Sequence, residues 1–132
     1  MSMKYLSTVI AAASLLWIAP ATETSAASSL SGSWKGGGTM TLNSGAKERV
    51  SCRVKYFRQS STTFSMSAKC ASGAGSLNQT GSLIAVGTNK YSGTVFNAKH
   101  GITANVYITL NGRKQNVSIS SSAGSASLSL RK

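Results

Sequence analysis

Arg49-Val50-Ser51-Cys52-Arg53-Val54-Lys55-Tyr56 alternates polar and apolar residues without a break. A strand with one buried and one wetted face requires that rhythm, because successive side chains point to opposite sides. The rhythm returns in Phe64, Met66, Ala68 and Cys70, set between Ser65, Ser67 and Lys69. It returns again in Ile102, Ala104, Val106, Ile108 and Leu110, and in Ala126, Leu128 and Leu130. No convincing helical stretch follows residue 27.

Turn chemistry separates these runs. Asn43-Ser44-Gly45, Ala71-Ser72-Gly73, Gly87-Thr88-Asn89, Asn111-Gly112 and Ala123-Gly124 all fall between them, and proline is absent after Pro20. Eight strands are expected near 32–42, 46–58, 62–71, 74–86, 89–97, 101–110, 113–121 and 124–131. Asn111-Gly112 is a type I′ hairpin signal, and that register sets Val106 opposite Val117 and Ala104 opposite Ile119. Short links between sequential strands predict an all-β, up-and-down antiparallel meander. Closure into an eight-stranded barrel would remove both unpaired edges. A β-sandwich is the alternative fold. Small inward residues (Gly36, Gly38, Ala68, Ala104, Ala126) leave open whether the interior is filled.

Residues 1–27 read as a secretory signal. Lys4 gives the positive start, Tyr5 to Pro20 is almost wholly apolar, and Ala26 and Ala27 offer cleavage sites. The apolar run is shorter than the ~20 residues a membrane span needs. Residues 28–132 then form a single domain, expected to be periplasmic or secreted. In such a compartment two cysteines, Cys52 and Cys70, read as one disulfide. A hairpin turning at Gln59 to Ser61 places them directly opposite one another, with Tyr56 facing Met66 and Val54 facing Ala68.

The same register sets Arg53 against Lys69 on the outward face, with Arg49, Lys55 and Arg58 on or near that surface. Like charges directly opposite each other are unfavourable. The whole chain has 14 basic residues against 2 acidic ones, a net charge of +12. Arg49, Arg53, Lys55, Arg58 and Lys69 are therefore the candidate binding residues. Their expected partner is an anionic envelope component, such as a lipid head group or glycan, or an acidic protein. Peripheral contact with a membrane surface fits the same charge. Specific nucleic-acid readout is not expected, because the aromatics form no RNA-binding signature.

Catalysis is not expected. After the signal only Glu48 remains as an acid, so there is no carboxylate pair, and a triad needs an acid, a base and a nucleophile together. His100, the one histidine, sits beside Lys99 in an expected turn and reads as a solvated residue. Glu48, between Lys47 and Arg49, reads as a surface ion-pair partner. Gly36-Gly37-Gly38 lacks the Lys-Ser/Thr pattern of a phosphate loop. No cofactor and no metal are expected. Asn78-Gln79-Thr80 and Asn116-Val117-Ser118 match the glycosylation pattern, but both fall inside expected strands.

Gly32-Ser33-Trp34 opens the first strand soon after the signal. A Gly-x-Trp there resembles the start of lipocalin-type barrels. That resemblance implies that Trp34 closes one barrel end and that Arg131, on the last strand, packs against it. Leu30 to Trp34 with Cys52 and Cys70 also resembles small periplasmic inhibitors of bacterial metalloproteases, which are eight-stranded barrels with one disulfide. By that resemblance, Ala27 to Leu30 would be an inhibitory tail. The chain as a whole is similar to small secreted proteins of rhizobial-type proteobacteria. The readings that follow are an anion-binding protein, a protease inhibitor, or a carrier of a small apolar ligand inside the barrel.

Overall fold

The computed structural model describes residues 29–132. The signal segment, Ala27 included, lies outside the described residues. The strands are β1 (Gly32–Leu42), β2 (Lys47–Arg58), β3 (Thr63–Ser72), β4 (Gly75–Gly87), β5 (Lys90–Asn97), β6 (Ile102–Asn111), β7 (Lys114–Ser121) and β8 (Gly124–Arg131). Each is antiparallel to its sequence neighbours, and β1 closes on β8, so the sheet is a closed barrel with no free edge. The expected strands are found within a residue at each boundary.

Alternation dictates the layering. Val50, Cys52, Val54 and Tyr56 of β2 are buried while Arg49, Ser51, Arg53 and Lys55 are exposed. The pairing of β2 with β3 sets Cys52 opposite Cys70, Val54 opposite Ala68 and Tyr56 opposite Met66, as the alternation predicts. Cys52 and Cys70 are joined, with 4.0 Å between their Cα atoms.

One hairpin differs from expectation. The turn between β6 and β7 is centred on Gly112-Arg113, so Val106 faces Ile119 and Ile108 faces Val117. The positive φ falls on Gly112 (65°) and not on Asn111. That is the type II′ requirement, glycine at the first central position, rather than the type I′ pair. The shift moves the pairing by two residues, so every side chain keeps its face.

The odd-numbered turns of the meander lie at one end of the barrel and the even-numbered ones at the other, and the core divides unequally between these ends. Trp34, Tyr56, Phe64, Leu83, Ile108 and Leu130 fill the end where β1 begins. Phe64 meets Tyr91 edge to face, with ring centroids 5.4 Å apart, a favoured aromatic geometry. Leu30, fully buried, plugs this end, and its carbonyl accepts a hydrogen bond from Trp34 Nε1–H at 2.9 Å. Trp34 is thus buried at this end of the barrel, while Arg131, expected beside it, is exposed on the outer face of β8. Strand parity turns Leu130 inward and Arg131 outward. The cation over the Trp34 ring is Lys132, whose Nζ lies 5.6 Å from the centroid. Glycine is needed where the sheet bends tightly: a Cβ on Gly38 would run into the Ser127 carbonyl.

Candidate functional site

Inward side chains shrink from the closed end toward the opposite one. On β3 they run Phe64, Met66, Ala68, Cys70, Ser72. On β8 they run Leu130, Leu128, Ala126, Gly124. On β6 they run Leu110, Ile108, Val106, Ala104, before Ile102 at the rim. Eight strands enclose a space that side chains can just fill. This taper fills the lower half and leaves a cavity of about 460 Å³ in the upper half. Val50, Val95, Ala104, Ile119, Ala126 and Leu128 line it, and the Cys52–Cys70 pair forms part of its wall.

A few polar groups interrupt that lining. Glu48, Gln79, Asn97, Lys99 and His100 all border the cavity. Glu48 is not a surface ion-pair partner. Its even position on β2 puts it on the same face as Val50 and Cys52, half-buried at the mouth. His100 is exposed in the turn between β5 and β6, and its backbone N–H donates to Asn97 Oδ1 at 2.9 Å. In a ring of eight strands that turn stands roughly across the mouth from β2, so Glu48 and His100 occupy opposite walls. The mouth therefore offers an acceptor on one side and donors on the other.

The packed half carries its own polar pair. Tyr56 O–H donates to Gln115 Oε1 at 2.7 Å, and both residues are buried. Gln115 Nε2 has no hydrogen-bond partner. Burial pushes the Tyr56 hydroxyl well above the usual tyrosine range.

The candidate basic residues separate into groups. Arg53 and Lys69 are paired and exposed, as alternation predicts, and Lys55 is exposed two positions along β2. Arg49 is exposed nearer the open end. Arg58 stands apart. Its guanidinium lies 4.9 Å over the Phe64 ring and donates to the Ser61 carbonyl at 3.1 Å, bracing the turn between β2 and β3. Three cations outside that candidate set join Arg53 and Lys69. Lys35 pairs with Arg53 across β1 and β2, Arg131 pairs with Lys35, and Lys114 pairs with Arg131. Lys114, Arg131, Lys35, Arg53 and Lys69 thus form one continuous exposed row across five strands.

Their signal in the sequence was weak because β1 carries Gly36-Gly37-Gly38, which has no alternation from which to read a register. β4 and β6 contain no charged residue, and among the described residues four of the five exposed large apolar side chains, Ile84, Val86, Phe96 and Tyr107, lie on β4 to β6. The outer surface is therefore strongly cationic on one side and nearly uncharged on the other. Among the described residues no three His, Cys, Asp or Glu side chains cluster as a metal site would require.

No protein-family model matches the chain, and no curated protein matches it. Solved structures of designed proteins do. A redesigned β-barrel, mFAP1, bound to DFHBI superposes with a TM-score of 0.67 at 17% identity, over 78% of this chain and 94% of that one. A de novo designed fluorescence-activating β-barrel gives 0.63 at 17% identity over 83% and 98%. The redesigned barrel mFAP0, also bound to DFHBI, gives 0.66 at 16% identity over 78% and 98%. The likeness is one of fold: this chain is a small eight-stranded antiparallel barrel similar to designed fluorescence-activating barrels.

Proposed function

We propose that the protein is a non-catalytic binding protein whose ligand is a small, mostly apolar molecule held in the open half of the barrel. The cavity carries this reading. Its volume of about 460 Å³ lies within the ~300–1,000 Å³ of ordinary small-molecule sites, and its wall is apolar with a few polar groups at the rim. The packed end supports it as well, because a rigid floor holds the cavity in shape before a ligand arrives. Two similar designed barrels are bound to DFHBI, so a barrel of this size can accommodate such a molecule. The Gly-x-Trp resemblance to lipocalin-type barrels points the same way.

A periplasmic or secreted location fits the leader reading of residues 1–27 and the Cys52–Cys70 disulfide. The inhibitor reading places a tail at Ala27 to Leu30. Leu30 is fully buried at the closed end, which takes it out of such a tail.

Native mass spectrometry of the folded protein, purified from its own cells, tests the proposal. The expected result is a one-to-one adduct that the neutral probe N-phenyl-1-naphthylamine displaces. A protein that carries no adduct and does not bind that probe would overturn the reading.

A further inference from the structure

The row of five cations is a second feature, on the outside of the barrel, independent of the cavity reading. Like charges directly opposite on neighbouring strands repel, and five in register multiply that cost. No acidic side chain stands in the row to relieve it. An arrangement that costs stability and is not neutralised within the chain calls for an anion from outside.

The neighbouring outward positions show the shape of that anion. One step toward the open end, Ser129, Gly37, Ser51 and Ala71 pair in register beside Arg131, Lys35, Arg53 and Lys69. On β1 to β3 these small residues, Gly37, Ser51 and Ala71, form the floor of a trough, which Arg49 and Gly73 also line. Gly37 is fixed by packing, since a Cβ there would sit 2.5 Å from the Val50 carbonyl oxygen. Arg49 rises on the far side. At ~3.3 Å per residue, it stands about 13 Å along β2 from Arg53. Strands spaced ~4.8 Å apart make the row roughly 19 Å long. The site is thus a small-floored trough over β1 to β3 with the Ser51 hydroxyl in it, bounded by Arg49 and running beside Lys35, Arg53 and Lys69 of the longer row.

That combination favours one class of partner. A bilayer is flat, whereas the row follows the curve of a barrel, and most exposed apolar side chains that could enter a membrane lie on β4 to β6 instead. A single-stranded nucleic acid needs aromatic plates on which bases stack, and the trough has none. Phe57, the exposed aromatic on β2, lies beyond Lys55, away from Arg49 and the trough. We propose that the trough binds a flexible, linear anionic polysaccharide, its acid groups along the Lys-Arg row and its hydroxyls against Ser51.

The test is a titration with a polygalacturonate fragment as probe. Lys35→Gln/Arg53→Gln/Lys69→Gln is expected to weaken binding about tenfold or more, while Lys90→Gln/Lys99→Gln/Arg113→Gln, equal in charge change, is expected to weaken it by less than about threefold. Ser51→Trp fills the trough without altering charge and is expected to abolish binding. The row variant loses repulsion, so its melting temperature should be maintained or raised, which separates lost binding from lost fold. Equal effects from the two triple variants would overturn the proposal, since net charge alone would then explain the affinity. So would unaffected binding by Ser51→Trp. Tighter binding of a single-stranded oligonucleotide or of phosphatidylglycerol vesicles than of polygalacturonate, at the same salt, would overturn the class of partner.

Discussion

Tyr56 and Gln115 hold the one buried side-chain hydrogen bond between β2 and β7 in the packed half. Tyr56→Phe would leave the Gln115 amide with no partner at either end, because its Nε2 is already unpaired. Orphaning a buried polar group costs about 1–3 kcal/mol, whereas replacing both partners by apolar groups of similar shape is nearly neutral. Tyr56→Phe should therefore destabilise the barrel by about that amount, and adding Gln115→Leu should recover most of the loss. Chemical denaturation of the two variants checks this. A single substitution without cost would show that the bond contributes nothing. At this scale the sequence was partly legible. Tyr56 belonged plainly to an inward set, but nothing local marked Gln115 as its partner, because their contact spans 59 positions. Glu48 was misread for a related reason. Its chain neighbours Lys47 and Arg49 suggested an ion pair, while its parity with Val50 and Cys52 already placed it on the inner face.

At the scale of strands, alternation gave element positions, and turn lengths gave registers wherever both strands alternate. The β2–β3 hairpin satisfied both conditions, so its disulfide and the Arg53–Lys69 pair were readable in advance. The β6–β7 turn was misplaced by one residue because Asn-Gly allows two settings, and glycine alone took the positive φ. β1 was the opaque strand. Its three glycines answer to close approach of β2 and β8, a contact that exists only once the barrel closes. Three of the five row cations, Lys35, Arg131 and Lys114, join Arg53 and Lys69 only through β1. The disulfide closes a hairpin with a sequence separation of 18. Chain-entropy reasoning for a loop of this size gives about 3 kcal/mol. Cys52→Ala/Cys70→Ala should lose about that much by urea denaturation while keeping the same strand signature in circular dichroism. Loss of the β spectrum instead would mean that the strand pairing itself depends on the bond.

At the scale of the whole molecule, two asymmetries define the protein. Along the barrel axis, inward side chains taper from Trp34 and Phe64 to Ala126 and Ser72, so one end is solid and the other hollow. Around the axis, cations gather on β7, β8 and β1 to β3, leaving β4 and β6 uncharged. The taper could be seen in the sequence residue by residue, but not that it would leave a cavity, because that depends on how eight strands space themselves around a common axis. The hollow end is the basis of the proposed function. The measurement that tests it most directly is fluorescence titration with neutral N-phenyl-1-naphthylamine, comparing the unaltered protein with Ala104→Trp. Ala104 lines the cavity, and an indole there would occupy much of it. Saturable one-to-one binding by the unaltered protein, lost in a folded Ala104→Trp variant, is the expected result. Equal binding by both proteins would place the probe elsewhere and contradict the account.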